Sequence, residues 1–226
     1  MEFSGIKVDV IRKNIKNINL VVYRSSGKVR VSMPKYISTR LVKEFISKRV
    51  GWIKKHLQIV ESRPRRIVPK YQQGETHFLF GEPYTMVIKV ANQKPFIQLQ
   101  GGEIIMTLRP GSDVVAREKV MREWYRKELK KRIPALIEKW ESSLGVKVKE
   151  WNVKKMKTRW GTCNTRAARI WLSLELAKKP IHFLDYVVLH EIAHLIERSH
   201  NARFKSILSE KMPNWKAVEQ EMNHKV

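Results

Sequence analysis

The chain has 226 residues, 42% of them hydrophobic, and carries 46 Lys+Arg against 21 Asp+Glu, a net charge of +25. One cysteine, Cys163, excludes a disulfide framework and fits a reducing compartment, expected here to be the cytoplasm. No run approaches the roughly 18 apolar residues of a membrane span, and Met1–Gly5 lacks a basic segment followed by an apolar one, so neither a transmembrane helix nor a signal peptide is expected. The positive charge is spread along the chain: residues 1–110 hold 21 basic and 7 acidic side chains, residues 111–226 hold 25 and 14. Such a surface attracts a nucleic acid, a nucleotide or an acidic substrate, although an ordinary solvated basic surface has the same composition.

Residues 6–12, 18–23 and 28–33 read as strands. Val21, Tyr23, Val29 and Val31 carry the alternation, Ser25-Ser26-Gly27 is a turn signal, and Pro34 ends the last strand. Apolar residues spaced by three and four from Leu41 to Val60 predict one helix over 38–61, with Ser38 or Thr39 as cap and a strongly basic outer face. Arg63-Pro64-Arg65-Arg66 with Pro69-Lys70 reads as a basic connector. Short strands follow at 76–80 and 84–90 around Gly81-Glu82-Pro83, and at 96–99 and 104–108 around Gln100-Gly101-Gly102. His56 and His77 stand alone and carry no ligand spacing.

Residues 113–142 predict a long helix that Pro134 kinks or splits. Residues 146–153 alternate like a strand. Lys157–Asn164 reads as a loop, and Ile170–Leu174 as a strand. Pro180 fits the start of a helix, Ala202–Lys211 is a short helix, Met212-Pro213 stops it, and a last helix begins at Trp215. The division is thus a β-rich region with one long helix over 1–110, and a second region over 111–226.

The chemistry concentrates in Leu189-His190-Glu191-Ile192-Ala193-His194 and His200. Residues four apart share one face of a helix, so His190 and His194 can reach one ion, and imidazole suits Zn²⁺. Glu191 lies about 100° further round the helix, where it can serve as a general base without being a ligand. His200 is the expected third ligand. Because a continuous helix would turn it away, the helix must end near Arg198, with Ser199 or Asn201 capping the restart. Three histidines leave one coordination position open, as in catalytic zinc sites. Glu197 is a lesser candidate, as a ligand or as a residue that orients one. Cys163 could close the site as a fourth ligand, or be a small buried residue. Arg159 could steady negative charge in a transition state, or could lock its loop together with Trp160. In zinc peptidases an edge strand beside the active helix pairs with extended substrate, which makes Ile170, Trp171 and Leu172, with Trp160, the substrate-binding candidates.

Arg159-Trp160-Gly161-Thr162-Cys163, the strand Ile170–Leu174, Asp185–His194 and His200-Asn201-Ala202-Arg203-Phe204 together resemble the YgjP-like metallopeptidase family, which looks related to SprT-like and other zincin domains. The likeness spans about residues 20–220 and is tightest over 157–215. It implies an α+β fold: an N-terminal β-hairpin-rich region with a helix, then a zincin-like catalytic domain built on the H-E-x-x-H helix. It also implies His190, His194 and His200 as zinc ligands and Glu191 as general base. The spacing to His200 equals that of metzincins, but Glu197 stands where a metzincin has Gly. Some family members are described as hydrolases that release pyrophosphate from UTP, and SprT-like relatives act on proteins attached to DNA.

The expected protein is therefore a zinc-dependent hydrolase of peptides. A UTP pyrophosphatase is the alternative, although no Gly-rich phosphate loop is present. A DNA-associated binding module with a structural zinc that includes Cys163 is the third reading. Substrate partners are thus a peptide or a nucleotide, with nucleic acid possible through the basic surface and no membrane; the sequence leaves the oligomeric state open.

Overall fold

A computed structural model describes residues 1–23, 26–61 and 69–224. They divide into two compact units at Val68/Pro69. Part of the expected Ser25–Gly27 turn and the Arg63–Arg66 connector fall outside the described residues.

The first unit has strands β1 (Glu2–Phe3), β2 (Ile6–Lys13), β3 (Asn19–Val22) and β4 (Val29–Pro34), in the sheet order β1-β2-β4-β3. β4 runs parallel to β2 and antiparallel to β3. Alternation sends Ile6, Val8, Val29, Val31 and Met33 to one face, where they form a core with Val42, Ile46 and Ile53. Those last three belong to α1 (Thr39–Ser47) and α2 (Val50–Glu61). The single helix expected over 38–61 is thus two. Ser38 caps α1, accepting from the Leu41 amide. At its end Ser47 Oγ bonds back to the Lys43 carbonyl, and the Arg49 amide reaches only three residues back, to Ile46, which tightens the chain into a turn before α2 restarts.

The second unit begins with a sheet of β5 (Thr76–Leu79), β6 (Glu82–Val90), β7 (Phe96–Gln100) and β8 (Glu103–Leu108), ordered β5-β6-β8-β7. Gly101 and Gly102 both take positive φ, the two-residue turn that matches strand twist, so Gln100 stays in β7. The first hairpin likewise turns on Phe80-Gly81 and leaves Glu82 and Pro83 in β6. The expected boundary at residue 110 therefore shifts to 68/69. Leu79, Met86, Ile104, Met106 and Leu108 share one core with the helices that follow, and the Phe80 amide and Phe78 carbonyl bond to Ala177 and Tyr125.

Helix α3 (Val114–Leu144) is capped by Asp113, ends at Gly145 in the left-handed conformation, and runs unbroken through Pro134. Next comes a sheet of β9 (Glu150–Lys154), β10 (Gly161–Asn164) and β11 (Arg169–Ser173), ordered β10-β11-β9, then a 3₁₀ turn over Leu174–Lys178. β11 is the central strand, antiparallel to β10 and parallel to β9. Helix α4 (Ile181–Ala193) is buried on nearly every side, which its almost unbroken apolar sequence demands. It packs on α3, on β10, and on α5 (Ala202–Lys211) and α6 (Trp215–His224). Asp185 ties it to α3 by accepting from Lys139 Nζ at 2.8 Å and Trp140 Nε1 at 2.7 Å. Among the described residues the fold is α+β, with six helices and three sheets. Among the described residues no helix is long and apolar enough to cross a membrane.

Candidate metal centre

Helix α4 stops at His194, four residues before the expected end. The Ala193 carbonyl accepts from both Ile196 and Glu197, and the Glu197 carboxylate accepts from the Ser199 amide, so a tight turn replaces the next helical turn. That bond, with Asn201, holds the Glu197 carboxyl below the usual range. Asn201 then caps α5 by accepting from the Phe204 amide. The reversal carries His200 back over the helix end. His200 Nε2 lies 3.0 Å from His190 Nε2, and ligand atoms of His190, His194 and His200 all fall within 4.8 Å of one another. Their rings stand 4.8–5.0 Å apart, above the buried ring of Phe204, whose centroid is 4.6–5.0 Å from each.

Further contacts fix the ring orientations. His194 Nδ1 lies 3.1 Å from the Glu197 carbonyl, which can only accept, so Nδ1 carries the proton and Nε2 is free to bind. Glu197 thus orients the His194 ring, through its backbone and not its carboxylate. His190 Nδ1 faces Tyr186 Oη at 3.5 Å, and that hydroxyl donates to Glu219 Oε1 at 3.2 Å. Burial, then the neighbouring imidazoles, lowers the pKa of His190 to about 3; burial lowers that of His194 as well. Both are held neutral, the form that ligates metal. Three converging imidazoles fit a borderline divalent cation.

Glu191 is buried, and burial raises its pKa to about 8 while the Arg159 guanidinium pulls the other way. Gly161 on β10 packs directly against it: a Cβ built there would fall 2.5 Å from Glu191 Oε1 and 2.7 Å from Cγ. Only glycine leaves room for the carboxyl. The three histidines, Glu191, Arg159 and Trp160 line one cleft of about 640 Å³.

The candidates on the strand after Ala168 lie elsewhere. Ile170 and Leu172 are fully buried, Trp171 is covered by Lys154 at 3.6 Å, and none lines the cleft. Both sides of β11 are occupied, so it is not the edge. That role falls to β10, expected to be loop. Trp160 O accepts from Ser173 N, and hydrogen-bonded pairs alternate in an antiparallel ladder, so the backbone groups of Gly161 and Cys163 face away from β11. Cys163 lines the cleft but stands outside the histidine group; it packs against the main core, and burial raises its thiol pKa to about 11. Tyr186, Gly161 and Glu219 are the residues the sequence reading missed. Only Tyr186, one turn before His190, left any local signal.

An H-E-x-x-H helix whose third histidine folds back over its end, with a buried carboxyl beside the cluster, defines the site of a metal-dependent hydrolase. The chain matches the family model "YgjP-like, metallopeptidase domain" over residues 16–225 and belongs to that family. Among curated proteins nothing matches it. Among solved structures it is similar to the crystal structure of the metallopeptidase zymogen of Pyrococcus abyssi abylysin, with 19% identity over 42% of this chain and 94% of that one, at a TM-score of 0.39.

Proposed function

We propose that this chain is a zinc-dependent peptidase in which Glu191 is the general base. One observation carries the reading: three imidazoles converge beside a buried carboxyl that opens onto the same cleft. Zinc held by His190, His194 and His200 would lower the pKa of water to about 7 and polarise a carbonyl oxygen. Glu191 then takes a proton from the attacking water and returns it to the leaving nitrogen. Its raised pKa suits both halves of that exchange. Arg159 lies near enough to act on the Glu191 charge, and it lines the cleft where negative charge develops on the substrate oxygen. The free edge of β10 offers backbone partners to an extended peptide, with Trp160 at its start. The single cysteine favours the cytoplasm as its place.

The test is peptide hydrolysis by the zinc-loaded chain and by Glu191→Gln. The variant should keep its zinc and lose about 10²–10⁴-fold in turnover. Undiminished cleavage would remove Glu191 from the reaction. A second reading, hydrolysis of a nucleoside triphosphate, draws on Arg159 and Arg198, two guanidinium groups lining the cleft. Pyrophosphate released from UTP, with peptides left intact, would select it.

A further inference from the structure

The positive charge is not distributed as the units are. Residues 1–68 hold 17 Lys and Arg against 4 Asp and Glu, whereas residues 69–226 hold 29 against 17. In the second unit the cations are interleaved with carboxylates: Arg126 sits on Glu123, Lys131 and Arg132 on Glu128, Lys139 on Asp185, and Lys155 on Glu118. In the first unit the one ion pair among the described residues is Arg40–Glu44, and its arginine side chain is 90% exposed. Crowding like charges on a unit of this size destabilises it through self-repulsion, which a merely soluble surface avoids by mixing signs.

The excess is ordered along two helices. Lys43, Lys48, Arg49, Lys54 and Lys55 are exposed on α1, the intervening turn and α2, whose Val42, Ile46 and Ile53 are buried. Arg49 is held in place: its guanidinium lies 3.8 Å from the Phe45 ring centroid and donates to the Phe45 carbonyl. Beside this row, Trp52 remains 44% exposed, with one face stacked on His56 at 3.8 Å. His56 Nδ1 lies 2.8 Å from the Trp52 carbonyl, which fixes the pair. Exposed cations with no ion pair among the described residues, close in the chain to a half-exposed aromatic ring, are the combination that holds phosphates and stacks unpaired bases.

We infer that the α1–α2 face of the first unit binds single-stranded nucleic acid, with Lys48, Arg49 and Lys55 on the phosphates and Trp52 against a base. The inference is independent of the reaction proposed for the metal centre, and its test needs no catalysis. Fluorescence anisotropy of the full chain is measured with labelled single strands on the order of 20 nucleotides, as DNA and as RNA to identify which is held, and with the matching duplex. Salt is varied between about 50 and 200 mM. The threefold reversal Lys48→Glu, Arg49→Glu and Lys55→Glu is compared with Lys127→Glu, Lys130→Glu and Lys205→Glu, which changes the net charge equally on exposed sites of the second unit. Thermal melts verify that both fold.

The first set should weaken single-strand binding by at least about tenfold and flatten its salt dependence, while the second stays within about threefold. Trp52→Ala should weaken single-strand binding by roughly tenfold and leave duplex binding unchanged. Equal losses from the two sets would reduce the effect to net charge and overturn the proposal. So would a duplex bound as tightly as the single strand.

Discussion

Gly161 shows how much of this site depends on single atoms. Its missing Cβ is the space that the Glu191 carboxyl occupies. Gly161→Ala is therefore expected to push Glu191 off its position while leaving the histidines alone. Overpacking of this kind costs about 1–3 kcal/mol in stability. The variant should keep wild-type zinc content and lose activity by at least tenfold, toward the roughly 10²–10⁴ range of a lost general base. Parallel zinc and turnover assays check it, and full activity would contradict the packing. The histidines and Glu191 were legible in the sequence because H-E-x-x-H encodes a helix face within five residues. Gly161 was not, because it meets Glu191 only once β10 has packed on α4. Ile170, Trp171 and Leu172 were misplaced for a related reason. They sit on a strand beside the active helix, but the parallel return of β9 closes its second side, and strand order is not a local property.

At the scale of elements, the end of α4 decides the site. The apolar period runs on through Leu195 and Ile196, so the sequence alone extends the helix to Arg198. What ends it at His194 is Glu197, whose carboxylate binds the Ser199 amide and whose carbonyl faces His194. The last helix contributes too. Glu219 on α6 reaches Tyr186 on α4, and through that hydroxyl the His190 ring. These two are positioning residues: they hold Nδ1 so that Nε2 faces the cluster. Tyr186→Phe and Glu219→Gln are each expected to weaken zinc binding by roughly 10–100-fold. The double variant should be little worse than either alone, because both cut one chain of bonds. Competition with a chromophoric chelator measures this, and unchanged affinity in all three would show that α6 plays no part in the metal centre.

At the scale of the whole molecule, the site's groups leave a mark on stability when no metal is bound. Glu191 has a folded pKa of about 8 against an ordinary 4.5. A carboxyl raised in this way favours the fold fully below pH 4.5 and loses that contribution as pH climbs through 8. His190, depressed to about 3 from 6.5, runs the opposite way: its contribution is complete above pH 6.5 and is lost toward pH 3. Below pH 6.5 His190 and the likewise depressed His194 oppose Glu191, so the decline due to Glu191 emerges between about pH 6.5 and 8. Chelator-treated wild type should lose thermal stability relative to Glu191→Gln over the range from 4.5 to 8. Parallel pH profiles would contradict the raised pKa of this buried carboxyl. The α+β character and most elements were readable from periodicity, but the division at 68/69 was not. Residues 69–110 look like the strands before them, and what joins them to the catalytic unit is the core that β5, β6 and β8 share with α3.

The central claim is that His190, His194 and His200 together hold one zinc ion. Elemental analysis of chain purified without chelator, wild type beside His200→Ala, tests it most directly. About one zinc per chain is expected in the wild type, with loss or marked depletion in the variant. Zinc absent from both, or equally present in both, would contradict the three-histidine centre.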